Sequence, residues 1–115
     1  MDKNAALLAF SALSQSTRLD VFRLLIEAGV NGMSAGQIGK ALDVRQNTMS
    51  ANLAVLSRAG LIRSKREGRS IRYFADFEGM VGLLAFLLED CCGGPRGSCQ
   101  EIFTGMQCPS CDRKQ

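Results

Sequence analysis

Five cysteines lie at one end of a 115-residue chain: Cys91, Cys92, Cys99, Cys108 and Cys111. An odd number crowded beyond residue 90 does not make a disulfide framework for a fold. In a reducing cytoplasm such thiols read as soft metal ligands or as redox sensors. The chain has no histidine, which excludes a histidine general base and every mixed Cys/His metal site within one chain. Cys108-Pro-Ser-Cys111 has the spacing of a zinc-binding or dithiol pair; spare thiols would read the same. With Cys91 or Cys92, the pair could contribute to a four-thiolate zinc site.

A second chemistry sits upstream, in Val44–Tyr73. Arg45, Arg58, Arg63, Lys65, Arg66, Arg69 and Arg72 face Glu67 alone, a net charge of +6 in a chain whose total is only +3. The rest of the chain is therefore acidic, and the cations are gathered for a purpose that total charge does not express. Met49, Leu53 and Leu56 recur at i, i+4 and i+7, so the first half of this stretch predicts a helix with one apolar face. Gln46, Asn47, Thr48 and Ser50 cluster near its start, where short polar side chains can reach base edges. Gly60 suits the left-handed residue that ends a helix. Two strands follow, Leu61–Lys65 and Ser70–Phe74, joined through Gly68, which supplies the positive φ of a tight turn. A reading helix followed by a basic hairpin is the footprint of a winged helix-turn-helix that binds duplex DNA. Arg45, Gln46, Asn47, Thr48, Ser50, Lys65, Arg66 and Arg69 are the expected DNA contacts.

The remaining elements must hold that reader. Asn4–Ser14 predicts a first helix, with Leu7, Leu8, Phe10 and Leu13 on more than one side. Ser16 or Thr17 can cap a second helix running to about Glu27; Leu19, Phe22 and Ile26 line one face and Val21, Leu24 and Leu25 thicken it, so this helix is expected to be central. Ser34 with Gln37 is a capping box; it opens a third helix with Ile38 and Leu42 inward, and Asp43-Val44 turns into the reading helix. After the hairpin, Asp76 can cap a fifth helix, Phe77–Asp90. Met80, Val81, Leu83, Leu84, Phe86, Leu87 and Leu88 wrap most of its circumference, more apolar surface than one small subunit can bury. The expectation is a symmetric homodimer through this helix, helped by the first, which sets two readers about 34–36 Å apart on a palindromic operator.

The fold class expected is thus mainly α with a β-hairpin: five helices plus a wing, as a homodimer. Residues 1–92 would form the DNA-binding and dimerisation domain and 93–115 a cysteine-rich tail. With 46% hydrophobic residues and no Trp, one modest core is the natural outcome. No stretch approaches the ~20 apolar residues of a membrane helix. Ala5–Leu13 lacks the flanks of a signal peptide, so the expected location is cytoplasmic with no membrane partner. No nucleophile–base pair, phosphate-cradling glycine loop or pair of carboxylates points to an enzyme.

Several segments resemble one family. Ser16–Leu25 (STRLDVFRLL) resembles the second-helix signature of the ArsR/SmtB family of metal-sensing repressors. Gln46–Leu53 (QNTMSANL) is similar to its recognition helix, and Leu56–Ile62 with Arg66–Tyr73 to its helix end and wing. The resemblance covers roughly residues 5–92 and implies a homodimeric DNA-binding repressor that leaves its operator when an inducer binds. The chain departs from the family at Arg45, where Ser is common, and at Ala51 and Asn52, where His is common. The third helix carries no Cys-x-Cys pair, and the zinc sensors' Asp/His set on the last helix has no counterpart. Cys91-Cys92-Gly-Gly-Pro-Arg-Gly-Ser-Cys99 resembles instead the arsenical sensors with adjacent cysteines at the end of the last helix.

That resemblance implies trivalent arsenic or antimony as inducer, held by Cys91, Cys92 and Cys99. Soft thiolates suit these thiophilic centres better than oxygen ligands do. Gly93-Gly94-Pro95 would end the helix and let Cys99 fold back, and Arg96 would favour the thiolate form. An organoarsenical would need only two of the sulfurs, and a partner's cysteine could also contribute. A thiol-redox switch, a zinc-responsive or zinc-stabilised regulator, and a metal-carrying protein remain as rival readings.

Overall fold

In the computed structural model, residues 1–88 are described. Helix α1 spans Lys3–Leu13 and α2 spans Ser16–Ala28; a single 3-10 turn, Gly29–Asn31, leads into strand β1, Met33–Ser34. Helix α3 (Ala35–Leu42) and helix α4 (Gln46–Arg58) follow, then β2 (Ile62–Glu67), β3 (Ser70–Ala75) and α5 (Phe77–Leu88). Met1–Leu83 forms one compact unit. The expected boundary at 92/93 and all five cysteines lie outside the described residues.

The architecture is the expected winged helix-turn-helix, with one addition. The sheet has three strands in the order β1-β3-β2, all antiparallel. The short β1 pairs Met33 with Tyr73 and Ser34 with Arg72, so the base of the wing is stitched to the start of α3. Two residues are too few to show period-2 alternation, and Ser34 was legible only as a helix cap.

The helix signals held where hydrogen-bonding chemistry is local. Ser34 Oγ accepts from the Gln37 backbone N–H at 3.2 Å, and Gln37 Oε1 accepts from the Ser34 N–H at 2.9 Å, completing the capping box. Asp43 leaves α3 in the left-handed region (φ 56°, ψ 52°), a conformation that Asp tolerates, and turns the chain into α4. Gly60 stands at φ 77°. The Leu61 N–H reaches the Leu56 carbonyl and the Gly60 N–H the Ser57 carbonyl, both at 3.1 Å, which is the Schellman ending. Asp76 caps α5 by accepting from the Gly79 N–H at 3.2 Å.

Two expectations are corrected, both on α2. The cap of α2 is neither Ser16 nor Thr17 but Gln15, whose side chain accepts from the Arg18 N–H; a longer amide reaches as well as a hydroxyl. The inner face of α2 is Val21, Phe22 and Leu25, while Leu19 is 42% exposed. Helix α1 buries Ala6, Ala9 and Ala12 and turns Leu7, Leu8 and Phe10 outward. Its small residues let it lie close against its neighbours, so its large residues are left over. The strands also run slightly longer and later than expected.

The core is built from Val21, Phe22 and Leu25 of α2, Ile38 of α3, Met49, Leu53 and Leu56 of α4, Leu61 of the link into β2, and Ile62, Phe74 and Ala75 of the sheet, with Leu83 the buried residue of α5. Gly32 makes the wing's approach feasible: it stands at φ 63°, and a Cβ there would lie 2.6 Å from the Phe74 ring and the Tyr73 carbonyl oxygen.

Candidate nucleic-acid interface

Helix α4 shows two faces. Met49, Asn52, Leu53 and Leu56 are buried, whereas Gln46, Asn47, Thr48, Ser50, Ala51 and Ala54 are exposed. The buried face pins the helix on the core, and the exposed face is left to read. Arg45 stands at the N-cap position in extended conformation, its side chain making no capping bond. That long cation is therefore available to a phosphate, and the helix start is the end a groove-binding helix presents first. Asn47 Oδ1 accepts from the Thr48 N–H at 2.8 Å, leaving the amide NH2 of Asn47 outward for an acceptor.

The wing hairpin projects its cations. Lys65, Arg66 and Arg69 are exposed. The pair Glu67↔Ser70 closes a two-residue loop, Gly68-Arg69, in which only Gly68 (φ 62°) has positive φ. Glycine first in such a loop gives the turn whose twist matches paired strands. All eight expected DNA contacts are thus exposed.

Two of the seven cations counted in the sequence have other work. Arg72 donates through Nη1 to the carbonyls of Asn31 (3.0 Å) and Gly32 (3.1 Å) and through Nε to Glu67 (3.3 Å). It ties the wing to the 3-10 turn, and Glu67, the one anion of the stretch, is drawn to it. Arg63 lies over the Phe74 ring, 5.0 Å from its centroid. Pairing across strands, invisible in a charge count, decides which cations stay free.

Between reader and wing lies an open cleft of about 400 Å³, lined by Ser34, Ala35 and Gly36 at the start of α3, Ser50 of α4, and Arg69, Ser70, Ile71 and Tyr73 of the wing. Ser50 and Arg69, 19 residues apart in sequence, both line it. Tyr73 and the first turn of α3 were not among the expected contacts. The capping box was the available signal, because it marks a helix start whose next N–H groups have no intrahelical partner. Among the described residues no group of three His, Cys, Asp or Glu side chains could hold a metal ion. Cys91, Cys92, Cys99, Cys108 and Cys111 lie outside them.

Comparison with known proteins agrees with this geometry. A helix-turn-helix domain family matches residues 13–65. The chain is 33% identical to the HTH-type transcriptional regulator YbzH of Bacillus subtilis, over 68% of this chain and 90% of that protein. It is 29% identical to the transcriptional activator HlyU of Vibrio cholerae, over 64% of this chain and 67% of that one. Among solved structures, an ArsR-like transcriptional regulator from Rhodococcus superposes with a TM-score of 0.63 at 31% identity, covering 75% of this chain and 77% of the other. The homodimeric winged helix-turn-helix DNA-binding domain of Mb0332 from Mycobacterium bovis gives 0.61 at 26%, covering 76% and 80%. An exposed reading helix, a cationic wing and these relatives together make the chain a DNA-binding transcriptional regulator, and it belongs to the ArsR-like helix-turn-helix family.

Proposed function

We propose that this regulator is a repressor that binds a palindromic operator as a homodimer in the cytoplasm and is released when trivalent arsenic or antimony binds its C-terminal thiolates. The observation that carries the DNA half is the division of α4 into a buried apolar face and an exposed polar face beside a wing with three free cations. Leu7, Leu8 and Phe10 of α1 and Phe77 and Val81 of α5 are all more than two-fifths exposed. Apolar surface of that kind supports a second copy as its cover, and the homodimeric Mb0332 domain has the same fold.

The inducer half rests on the residues Cys91-Cys92 and Cys99. Three soft thiolates match a trivalent, thiophilic centre, and the absence of His leaves no mixed set to prefer zinc. A coupling of only about 1–3 kcal/mol between inducer and operator would weaken binding about 5–150-fold. The test is fluorescence anisotropy on duplex DNA from the protein's own upstream region, with reduced protein, titrating arsenite against zinc. Release by arsenite alone supports the reading. Tight binding indifferent to arsenite would reject that inducer and keep the DNA reader. Peroxide-driven release that dithiothreitol reverses would favour a thiol-redox switch through the same cysteines. Because HlyU is named an activator, the sign is tested separately: in a run-off transcription assay the inducer-free protein should lower transcription.

A further inference from the structure

Among the described residues, the buried face of the reading helix carries one polar side chain, Asn52, 7% exposed. Its Oδ1 accepts from Nη1 of Arg18 at 3.2 Å. The same guanidinium donates through Nε to the carbonyl of Ala12, in the last turn of α1, at 2.7 Å. Arg18 itself sits in the first turn of α2. One planar group thus joins the end of α1, the start of α2 and the back of α4.

We propose that Arg18 and Asn52 are positioning residues for DNA recognition, a relay that sets the rotation of the reading helix from the end of α1. At about 100° per residue, Ser50 and Ala54 point almost diametrically away from Asn52. The bond therefore pins the reader from behind, where no DNA can reach. Apolar packing of Met49, Leu53 and Leu56 buries the helix but tolerates small rolls, whereas a hydrogen bond to a fixed fork of donors selects an angle. A roll of about 10° moves atoms at the rim of a helix of 10–12 Å diameter by about 1 Å, enough to spoil a base contact. Helix α1 carries the exposed Leu7, Leu8 and Phe10. A change in how that helix meets a partner copy is felt at the Ala12 carbonyl, and through it at Asn52.

The relay rests on α4 being the DNA reader, and the experiment separates the two. Wild type, Asn52→Leu, Asn52→Asp, Arg18→Gln and the Arg18→Gln/Asn52→Leu double variant are compared by anisotropy on the upstream duplex at several salt concentrations, with melting temperatures alongside. Asn52→Leu keeps the branched four-atom side-chain skeleton and removes the acceptor. It should melt like wild type but bind about tenfold more weakly at every salt, with an unchanged salt slope because no phosphate contact is lost. Asn52→Asp restores the acceptor and should recover most of the affinity. The double variant should lose no more than the worse single one, since both cut the same link. Equal affinity of Asn52→Leu and wild type, or additive losses in the double variant, would overturn the relay. Should Asn52→Leu melt early, Arg18→Gln with its Asn52→Leu partner still decides by additivity. If wild type itself does not bind the duplex, the DNA reading fails first.

Discussion

Arg45, Lys65, Arg66 and Arg69 differ from Arg63 and Arg72 in one respect: nothing among the described residues occupies them. Arg72 is spent on two backbone carbonyls and Glu67, and Arg63 on an aromatic face. Replacing both Arg66 and Arg69 with Ala should weaken operator binding and lower the slope of log affinity against log salt by about one for each phosphate lost. An unchanged slope in a salt titration would remove the wing from the phosphate interface. Arg72→Ala should behave differently, costing stability in a urea melt and loosening the wing's attachment at Asn31 and Gly32. Cys99→Ser, within the proposed inducer site, should bind DNA like wild type yet ignore arsenite. Ordinary arsenite release from that variant would reject the three-thiolate set.

Elements are held by a few local devices whose cost can be stated. The Ser34–Gln37 capping box starts α3, and β1 ties the same residues to the wing. Ser34→Ala should cost about 1 kcal/mol in a denaturant melt. Gly32 meets two demands at once, a positive φ and a gap too small for any Cβ beside Phe74 and Tyr73. Gly32→Ala should therefore cost about 2–5 kcal/mol, the sum of a left-handed backbone and overpacking. Near-wild-type stability in that variant would mean that the wing can shift at little cost. Gly79 plays a comparable part where α5 crosses the end of α4, since a Cβ there would run into the Gly60 carbonyl oxygen.

At the scale of the molecule, the cationic stretch 45–72 stands out against an acidic remainder of the sequence, and Lys65, Arg66 and Arg69 of the wing are exposed. The opposite requirement is cover for apolar surface: α1 buries alanines and exposes Leu7, Leu8 and Phe10, while Val81 of α5 is 62% exposed. Sedimentation of Leu8→Lys combined with Val81→Glu should show monomers where wild type forms dimers, with operator affinity falling steeply because two half-sites are no longer bound together. A dimer that survives both charges would place the partner elsewhere.

Sequence alone determined the helix-turn-helix, the wing, the capping box and the glycine endings, because each depends on local hydrogen bonding, positive φ or apolar spacing, and the eight residues it named for DNA are exposed in the fold. It left open which side of α1 faces inward and set Leu19 on the main face of α2, where it is 42% exposed, since periodicity cannot tell a face chosen for close approach from one chosen for volume. Only the tertiary structure decided the third strand, the use of Arg63 and Arg72, and the bond from Arg18 to Asn52. Apart from the Arg72–Glu67 pair, these join residues 11 to 41 positions apart in the chain, or, as in the two-residue strand, leave no pattern to read. Their geometry exists only once the helices have packed.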